Sequence, residues 1–532
     1  MERRDFVKST ALAAGGVAIA RPIVGRSLGS KLAPPPEVDA SAKELLLEAL
    51  DAATSAGAEY ADAKVGLYRN QRIGTREQQI TRVNESSSLG LGVRALVNGS
   101  WGFAATPELT REAATRAGRE AAAIGKANSA VERSGVRLAP VESYGDVSWT
   151  SDYEIDPWDV PIGEKVDRML EMNRIAMEAD HVRFVSSSHH FVKVEKTIAT
   201  TDGTVATQTL IRNNPGMSIT AISDDNSDFQ TRNWVTYPAA RGYEYVLQEI
   251  TPEKVEQWAA EAVQKLSADG VEPGKHNLIL HPTHLWLTIH ESIGHPTELD
   301  RAKGYEANYA GTSFLAPPSK VLNQFRYGPD FMQLEAERTA PGGLASVGWD
   351  AEGVKADRWM MIKDGIFVDY QTTREQVDWI SEYTGVKHSH GCAHSDSWSS
   401  IPFQRMPNMN LLPGEEDLSV DDLIAATDDG IYMEGRSSYS IDQQRYNFQF
   451  SGQAAWEVKG GKKTRMLRDV AYQATTEDFW NSMDMIGGPS TYVTYGSFYD
   501  GKGQPGQSNP VSHGCPVARF HQVNVLNTGR SG

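Results

Sequence analysis

Apolar positions first recur at helical spacing over residues 40–57, where Leu45, Leu46, Ala49 and Leu50 form one stripe. Ala58 to Arg69 and Gln71 to Asn84 partly alternate apolar with polar, the pattern of half-buried strands. Leu89 to Ala104 reads as a hairpin, because Asn98-Gly99 suits a type I′ turn and Val93, Leu96, Val97, Trp101 and Phe103 flank it. Thr106-Pro107 is a cap followed by proline, which predicts an Ala-rich helix running to about Lys126. Strand-like stretches over Arg183 to Ile198 and Met217 to Thr220 extend this region to about Tyr245. A second cap-plus-proline pair, Thr251-Pro252, opens a helix whose stripe is Val255, Trp258, Ala259, Ala262, Val263 and Leu266. From Asn277 to Leu280 onward the pattern is short strands broken by Gly, Pro, Asn and Asp, as at Trp359 to Ile362, Gly365 to Tyr370, Phe448 to Phe450, Ala454 to Val458 and Val523 to Leu526. The fold class predicted is α+β: an N-terminal α+β domain over 37–248, then a β-rich C-terminal domain over 249–532.

Composition changes this picture only at the N-terminus. The chain has 532 residues, 40% of them hydrophobic, enough for ordinary cores. Its net charge of −17 argues against a nucleic-acid backbone as the main partner, which wants a basic face. Arg3-Arg4 precede a short Ala/Gly-rich run, Ala11 to Ala20, that ends in small residues. The run is too short to span a bilayer stably and reads as a twin-arginine (Tat) export signal, with Lys31 to Pro36 as linker. Residues 1–36 are therefore set apart from the fold, and the mature chain is expected in the periplasm or another extracytoplasmic compartment. Two cysteines, Cys392 and Cys515, are too few for a disulfide scaffold; they form one bridge or stay free.

The chemistry-bearing run is His290-Glu291-Ser292-Ile293-Gly294-His295, on a helix predicted to start near Pro282. Two imidazoles can ligate zinc, and a carboxylate beside one of them can take a proton from a water at the metal. The usual run has its histidines four apart; here they are five apart, which splays them by about 140° on a regular helix. Gly294 tolerates unusual backbone angles, and Pro296 disfavours a helical His295. A bulge or helix end at this point brings His295 round. Alone, the run is as readily two structural histidines as a metal site.

The segment His290 to Asp300 resembles the active-site helix of the TldD/PmbA family of metalloproteases. Gly90-Leu91-Gly92-Val93-Arg94 with Gly99 to Ala104 resembles the family's N-terminal signature. Arg405 to Gly414 resembles its core segment, and Gly501 to Gln507 with Pro510 to Phe520 its C-terminal end. The resemblance implies a barrel-like C-terminal domain holding Zn²⁺, and a homodimer or a heterodimer with a paralogue. It also implies access for peptides or unfolded segments. The kept histidine run implies a catalytic member with Glu291 as general base.

One position departs from the family pattern. Where familiar members carry a cysteine ligand before a Gly-Lys pair, this chain has Asp500, in Asp500-Gly501-Lys502. Asp500 is the expected third metal ligand beside His290 and His295, with Cys515 as the rival. A carboxylate makes the site harder and more open to other divalent ions. His388, His390 and His394 cluster around Cys392 and are read as a cleft loop rather than a second metal site. His513 and His521 are read as supporting or structural, and Tyr309 with Gly311 to Ser313 as cleft lining by resemblance. Two rival functions stay open: a non-catalytic binding or assembly protein whose metal is structural or absent, and a metallohydrolase of non-peptide amides.

Overall fold

In the computed structural model, which describes residues 41–131, 135–233 and 235–529, Asn98 and Gly99 have φ of +48° and +72°. Both central residues are left-handed, as a type I′ turn demands, and Val97 pairs with Ser100 across it. The strands reach further than the sequence segments suggested. Tyr60–Arg76 is one continuous strand, and the expected second strand, 71–84, straddles the turn at Glu77 before Gln79–Val97. A left-handed Glu77 (φ +46°) reverses the chain there, a turn no Gly or Pro marks. The Ala-rich helix also starts later than expected, at Arg111, because Thr110 caps it by accepting from the Ala113 N–H. The Thr106 hydroxyl is engaged locally by the Glu108 N–H, so it shapes a turn instead. The expected signal and linker over 1–36 lie outside the described residues.

These strands join Val182–Thr200 and Thr204–Ile222 in a seven-stranded sheet, in which Gly145–Thr150 and Phe229–Arg232 pair with the two ends of Thr204–Ile222. Alternation decides what each face meets. One face (Ala61, Ala63 and Val65; Val185 and Phe191; Met217 and Ile219) is covered by the helices Ser41–Ser55, Arg111–Asn128, Ile162–Met177 and Pro252–Leu266. The last follows the Thr251 cap as expected and packs on this first sheet. The opposite face carries Val194 and Leu210, which pack on Val347.

The C-terminal part is built on a closed five-stranded barrel, with neighbours in the order Asp429–Ile441, Gly274–Leu280, Ala518–Asn527, Val470–Thr475, Asn447–Lys459 and back to the first. Beyond the ring, Lys462–Arg468 pairs with Asn447–Lys459 and carries Asp269–Gly270, and Met483–Ile486 pairs with Ala518–Asn527. Leu278, Met433, Phe448, Phe450, Tyr472 and Phe520 belong to its apolar core. Pro282–Ile289 leaves the Gly274–Leu280 strand as a helix pinned to the barrel through Tyr472, whose hydroxyl lies 3.0 Å from His284 Nε2 and 2.8 Å from Thr288 Oγ1. Cys392 and Cys515 are both buried and free. Among the described residues no helix is long and apolar enough to cross a membrane.

Arg94 joins the first sheet to later chain. Its guanidinium donates to Asp62 at 2.7 and 3.0 Å and to Glu352 at 3.0 Å, all three side chains buried. Removing the arginine strands two carboxylates out of water. Arg94→Ala is expected to destabilise the protein by about 3–5 kcal/mol, read as a lowered urea midpoint. An unchanged midpoint would show that the cluster is dispensable.

Candidate metal centre

The helix Pro282–Ile289 does not end at the histidines; it widens. His290–Gly294 forms a π turn, in which the His295 N–H donates to the His290 carbonyl at 3.1 Å. A bond five residues back brings residues five apart over one another, so the spacing that a regular helix splays is brought together. The expected bulge is there, but by a different device. His295 stays helical (φ −65°, ψ −43°) although proline follows, and Gly294 is not left-handed. The wide turn itself holds His295 in place. Gly294 instead makes room: a Cβ there would lie 2.6 Å from Met406 Sδ. Pro296 lacks the N–H that would continue the ladder, and side chains take the freed carbonyls. Tyr327 donates to Ser292 O at 2.8 Å and Gln371 to Gly294 O at 2.6 Å.

The third member comes from the hairpin Val493–Lys502 and Gln507–Cys515. Its register slips between Ser497 and Asp500, and beyond the bulge Phe498, Asp500 and Lys502 face inward. Asp500 Oδ1 then lies 3.7 Å from His290 Nε2 and 3.5 Å from His295 Nε2. Ligands of a tetrahedral zinc stand roughly 3.3 Å apart, so this spacing fits one ion with little movement. Cys515 is elsewhere, its Sγ against the Pro282 carbonyl at 4.0 Å, and it does not belong to the converging group.

Each of the three has a buried support. His295 Nδ1 lies 3.1 Å from Glu298 Oε2, and Glu298 in turn receives Arg301 and Lys502. His290 Nδ1 lies 2.8 Å from His513 Nε2. In both histidines the outer nitrogen is occupied and Nε2 faces the centre, the arrangement that fixes a ligand's ring. Burial pulls His295 down to about 4, which keeps it in the neutral form that binds a metal. Burial pushes the Asp500 carboxyl up, but His295, His290 and Arg405 together hold it well below the usual carboxylate range. Asp500 Oδ2 accepts from Arg405 Nη2 at 3.2 Å, and Arg405 is itself fully buried.

Glu291 turns the other way. Its Oε2 accepts from Arg445 Nη1 at 2.8 Å. Arg445 sits on the turn between two barrel strands with φ +65°, an uncommon conformation for a non-glycine residue. The loop expected to line the cleft props that turn: Thr312 N–H donates to Gln443 O at 2.8 Å, and a Cβ on Gly311 would meet the same carbonyl at 2.3 Å. Glu291, His290, His295 and Asp500 line a cavity of about 220 Å³. A groove of about 640 Å³, lined in part by Arg72, Ser187, His189 and Gly216 of the first sheet, reaches the same Tyr499.

Of the histidine tract, His388 and His390 converge on Asp357, with ligand atoms within 4.8 Å of one another, and His394 does not join them. His390 is held between Asp357 (2.7 Å) and Asp369 (3.1 Å) and stacks on Trp359, ring centres 4.1 Å apart. His388 joins Asp357 at 3.5 Å, and His394 lies apart, next to Lys196 and Arg212. His521 has its backbone N–H on Ser482 O and no place at the centre. Sequence reasoning missed Glu298, Arg301 and Arg445. Glu298 lies three residues after His295, on extended backbone, a nearness in sequence that could have flagged it. Nothing in the sequence pointed to Arg445.

Three family models match in chain order: "PmbA/TldA metallopeptidase domain 1" over residues 61–125, the central domain over 155–268 and the C-terminal domain over 273–527. A metalloprotease of Methanothermobacter thermautotrophicus is 25% identical over 480 residues, 88% of this chain and 96% of that protein. A "Metalloprotease TldD homolog" of Buchnera aphidicola is 25% identical over 84% of this chain and 88% of its own length. The crystal structure of TldE from Thermococcus kodakarensis shares the fold, with a TM-score of 0.67 at 13% identity over 91% of this chain and all of that one. With three consecutive models covering most of its length, the chain belongs to the PmbA/TldD family of metallopeptidases.

Proposed function

We propose that this chain is a zinc-dependent peptidase that hydrolyses peptides or unfolded polypeptide segments, with Glu291 as general base. The convergence of His290, His295 and Asp500 beside Glu291 carries the reading. Two imidazole nitrogens and one carboxylate oxygen are a donor set that zinc accepts, and the carboxylate also admits other divalent ions. When bound, the metal supplies Lewis acidity toward a water and a peptide carbonyl.

The remaining work falls to the chain. Glu291 accepts a proton from the attacking water and returns it to the leaving amine. Arg445 holds one oxygen of that carboxylate, which directs the other. Glu298 and His513 keep the two imidazoles from rotating, and Arg405 keeps Asp500 ionised and aimed. The groove that meets the metal cavity at Tyr499 suits an extended chain better than a compact substrate. Export by the Arg3-Arg4 signal and dimerisation, with a second copy or a paralogue, belong to the same proposal.

The test is metal dependence. The purified chain is expected to carry zinc in stoichiometric amount and to cleave an unfolded polypeptide. Chelation should abolish cleavage and added Zn²⁺ should restore it. Undiminished cleavage by metal-free protein would end this reading. Zinc without any cleavage would favour a binding or assembly role.

A further inference from the structure

Outside the metal centre, the opposite face of the first sheet gathers positive charge that no acid lining it pairs with among the described residues. Alternation along Val182–Thr200 puts His190, Val192, Val194 and Lys196 on that face, and Arg212 stands across from Val192. With His394 and Ser508 they line a cavity of about 330 Å³. Arg212 is 6% exposed; its Nε donates to Leu344 O at 2.9 Å, and its two Nη groups have no hydrogen-bond or ion-pair partner among the described residues. Lys196 Nζ likewise has none among them. His394 Nε2 and Ser508 Oγ are buried with no hydrogen-bond partner among the described residues, and so are Nε and Nη1 of Arg338 close behind. Burial, with Arg212 and Arg338 adding to it, brings Lys196 down to about 8; burial and Arg338 bring Arg212 down to about 10.

Among the described residues one acid lines the cavity, and it is engaged; Asp350 acts on Lys196 and Arg338 from outside the lining. Asp396 accepts from Ser400 Oγ at 2.7 Å and from the Ser508 N–H at 3.0 Å. Buried like charges without counter-charge are costly, and a concave wall of unpartnered donors is how proteins hold an anion. Tyr499 links this place to the chemistry. It lines both this cavity and the metal cavity, its hydroxyl lies 2.5 Å from His190 Nδ1, and it immediately precedes Asp500.

We propose that this cavity is a subsite for a carboxylate of the peptide substrate, either its C-terminal group or an acidic side chain. The assignment rests on the peptidase reading above for the identity of the ligand. Lys196, Arg212 and His394 Nε2 are the groups that would receive the carboxylate oxygens, and substrate would lie with its carboxylate on one side of Tyr499 and its scissile bond on the other.

Binding tests this independently of turnover. Three peptides of one sequence are titrated calorimetrically into the full chain at low salt. One has a free C-terminal carboxylate and no acidic side chain. One is amidated and carries a single Glu. One is amidated with Gln in its place. At least one of the two anionic peptides is expected to bind about tenfold or more tighter than the neutral one, the scale of a charge-assisted hydrogen bond. Which one does so identifies the carboxylate. Lys196→Met should bring the ratio close to one, and its thermal midpoint should not fall, since it removes a half-buried charge that has no ion-pair partner among the described residues. Arg212→Met gives a second reading if Lys196→Met fails to fold. Equal affinity of all three peptides for the wild type would overturn the proposal, as would a preference that survives both substitutions. Cleavage of the neutral peptide with and without chelator reports separately on the peptidase reading. If preference is seen without cleavage, the subsite stands and the peptidase reading falls.

Discussion

Glu291→Gln is expected to lower the turnover number on an unfolded peptide by about 10³-fold or more while the protein keeps its zinc. Glutamine matches the shape of the carboxylate but cannot accept a proton, and a positioned general base contributes about 10²–10⁴-fold. KM should move little, because the lost interaction is with the proton in transit rather than with the peptide. Arg445 complicates the substitution: its guanidinium loses an anionic partner at 2.8 Å and sits on a turn that can relax. Metal content and the thermal midpoint, read alongside the rate, separate loss of the base from loss of the site. A variant that holds zinc and keeps a tenth of wild-type turnover would remove Glu291 from the mechanism.

Asp500→Asn is expected to weaken zinc binding by more than about 100-fold, beyond the loss typical of groups that only support a ligand. It should also cost stability. Arg405 is fully buried against Asp500, and a buried cation left without its carboxylate destabilises by about 3–5 kcal/mol. Asp500→Cys divides the two effects. A thiolate is a strong zinc ligand, so the metal should be retained, while the ion pair with Arg405 is lost with the second carboxylate oxygen and only its bond to the backbone carbonyl of residue 500 remains. Metal titration against a chelating indicator and urea unfolding of both variants read these outcomes. Asp500→Asn that binds zinc as the wild type does would mean that Asp500 is only a neighbour of the site.

Legibility in the sequence followed the range of the interaction that decides each element. Asn98-Gly99 and Thr251-Pro252 act through their own backbone angles and nearest N–H groups, and the turn and the helix stand where those residues place them. Glu77 has no such signature; its left-handed turn is imposed by the pairing of two strands on either side. Thr106 and Thr110 carry the same hydroxyl, and only the packing of the following helix decides which one caps it. The centre divides the same way. His290, Glu291 and His295 are visible as one short run. Asp500 was legible only through the resemblance, because its partners lie more than 200 residues earlier. Arg445 was invisible, since its role comes from the turn between two barrel strands and not from its neighbours in sequence.

The π turn at His290–Gly294 also says where the extra residue between the histidines belongs. Deleting one residue would restore regular helical spacing and could still leave two imidazoles side by side. It would also rotate everything downstream by about 100° and draw it back by about 1.5 Å. Glu298 and Asp300, which receive Lys502, and Arg301, which donates to Glu298, would then arrive out of phase in their buried ion cluster. The inserted residue is therefore a phase shifter. It sets His295 over His290 before the chain leaves the helix at Glu298, which is extended (φ −70°, ψ 115°) and opens the short helix Leu299–Ala302, so that one hairpin meets both stretches, through Asp500 and through Lys502.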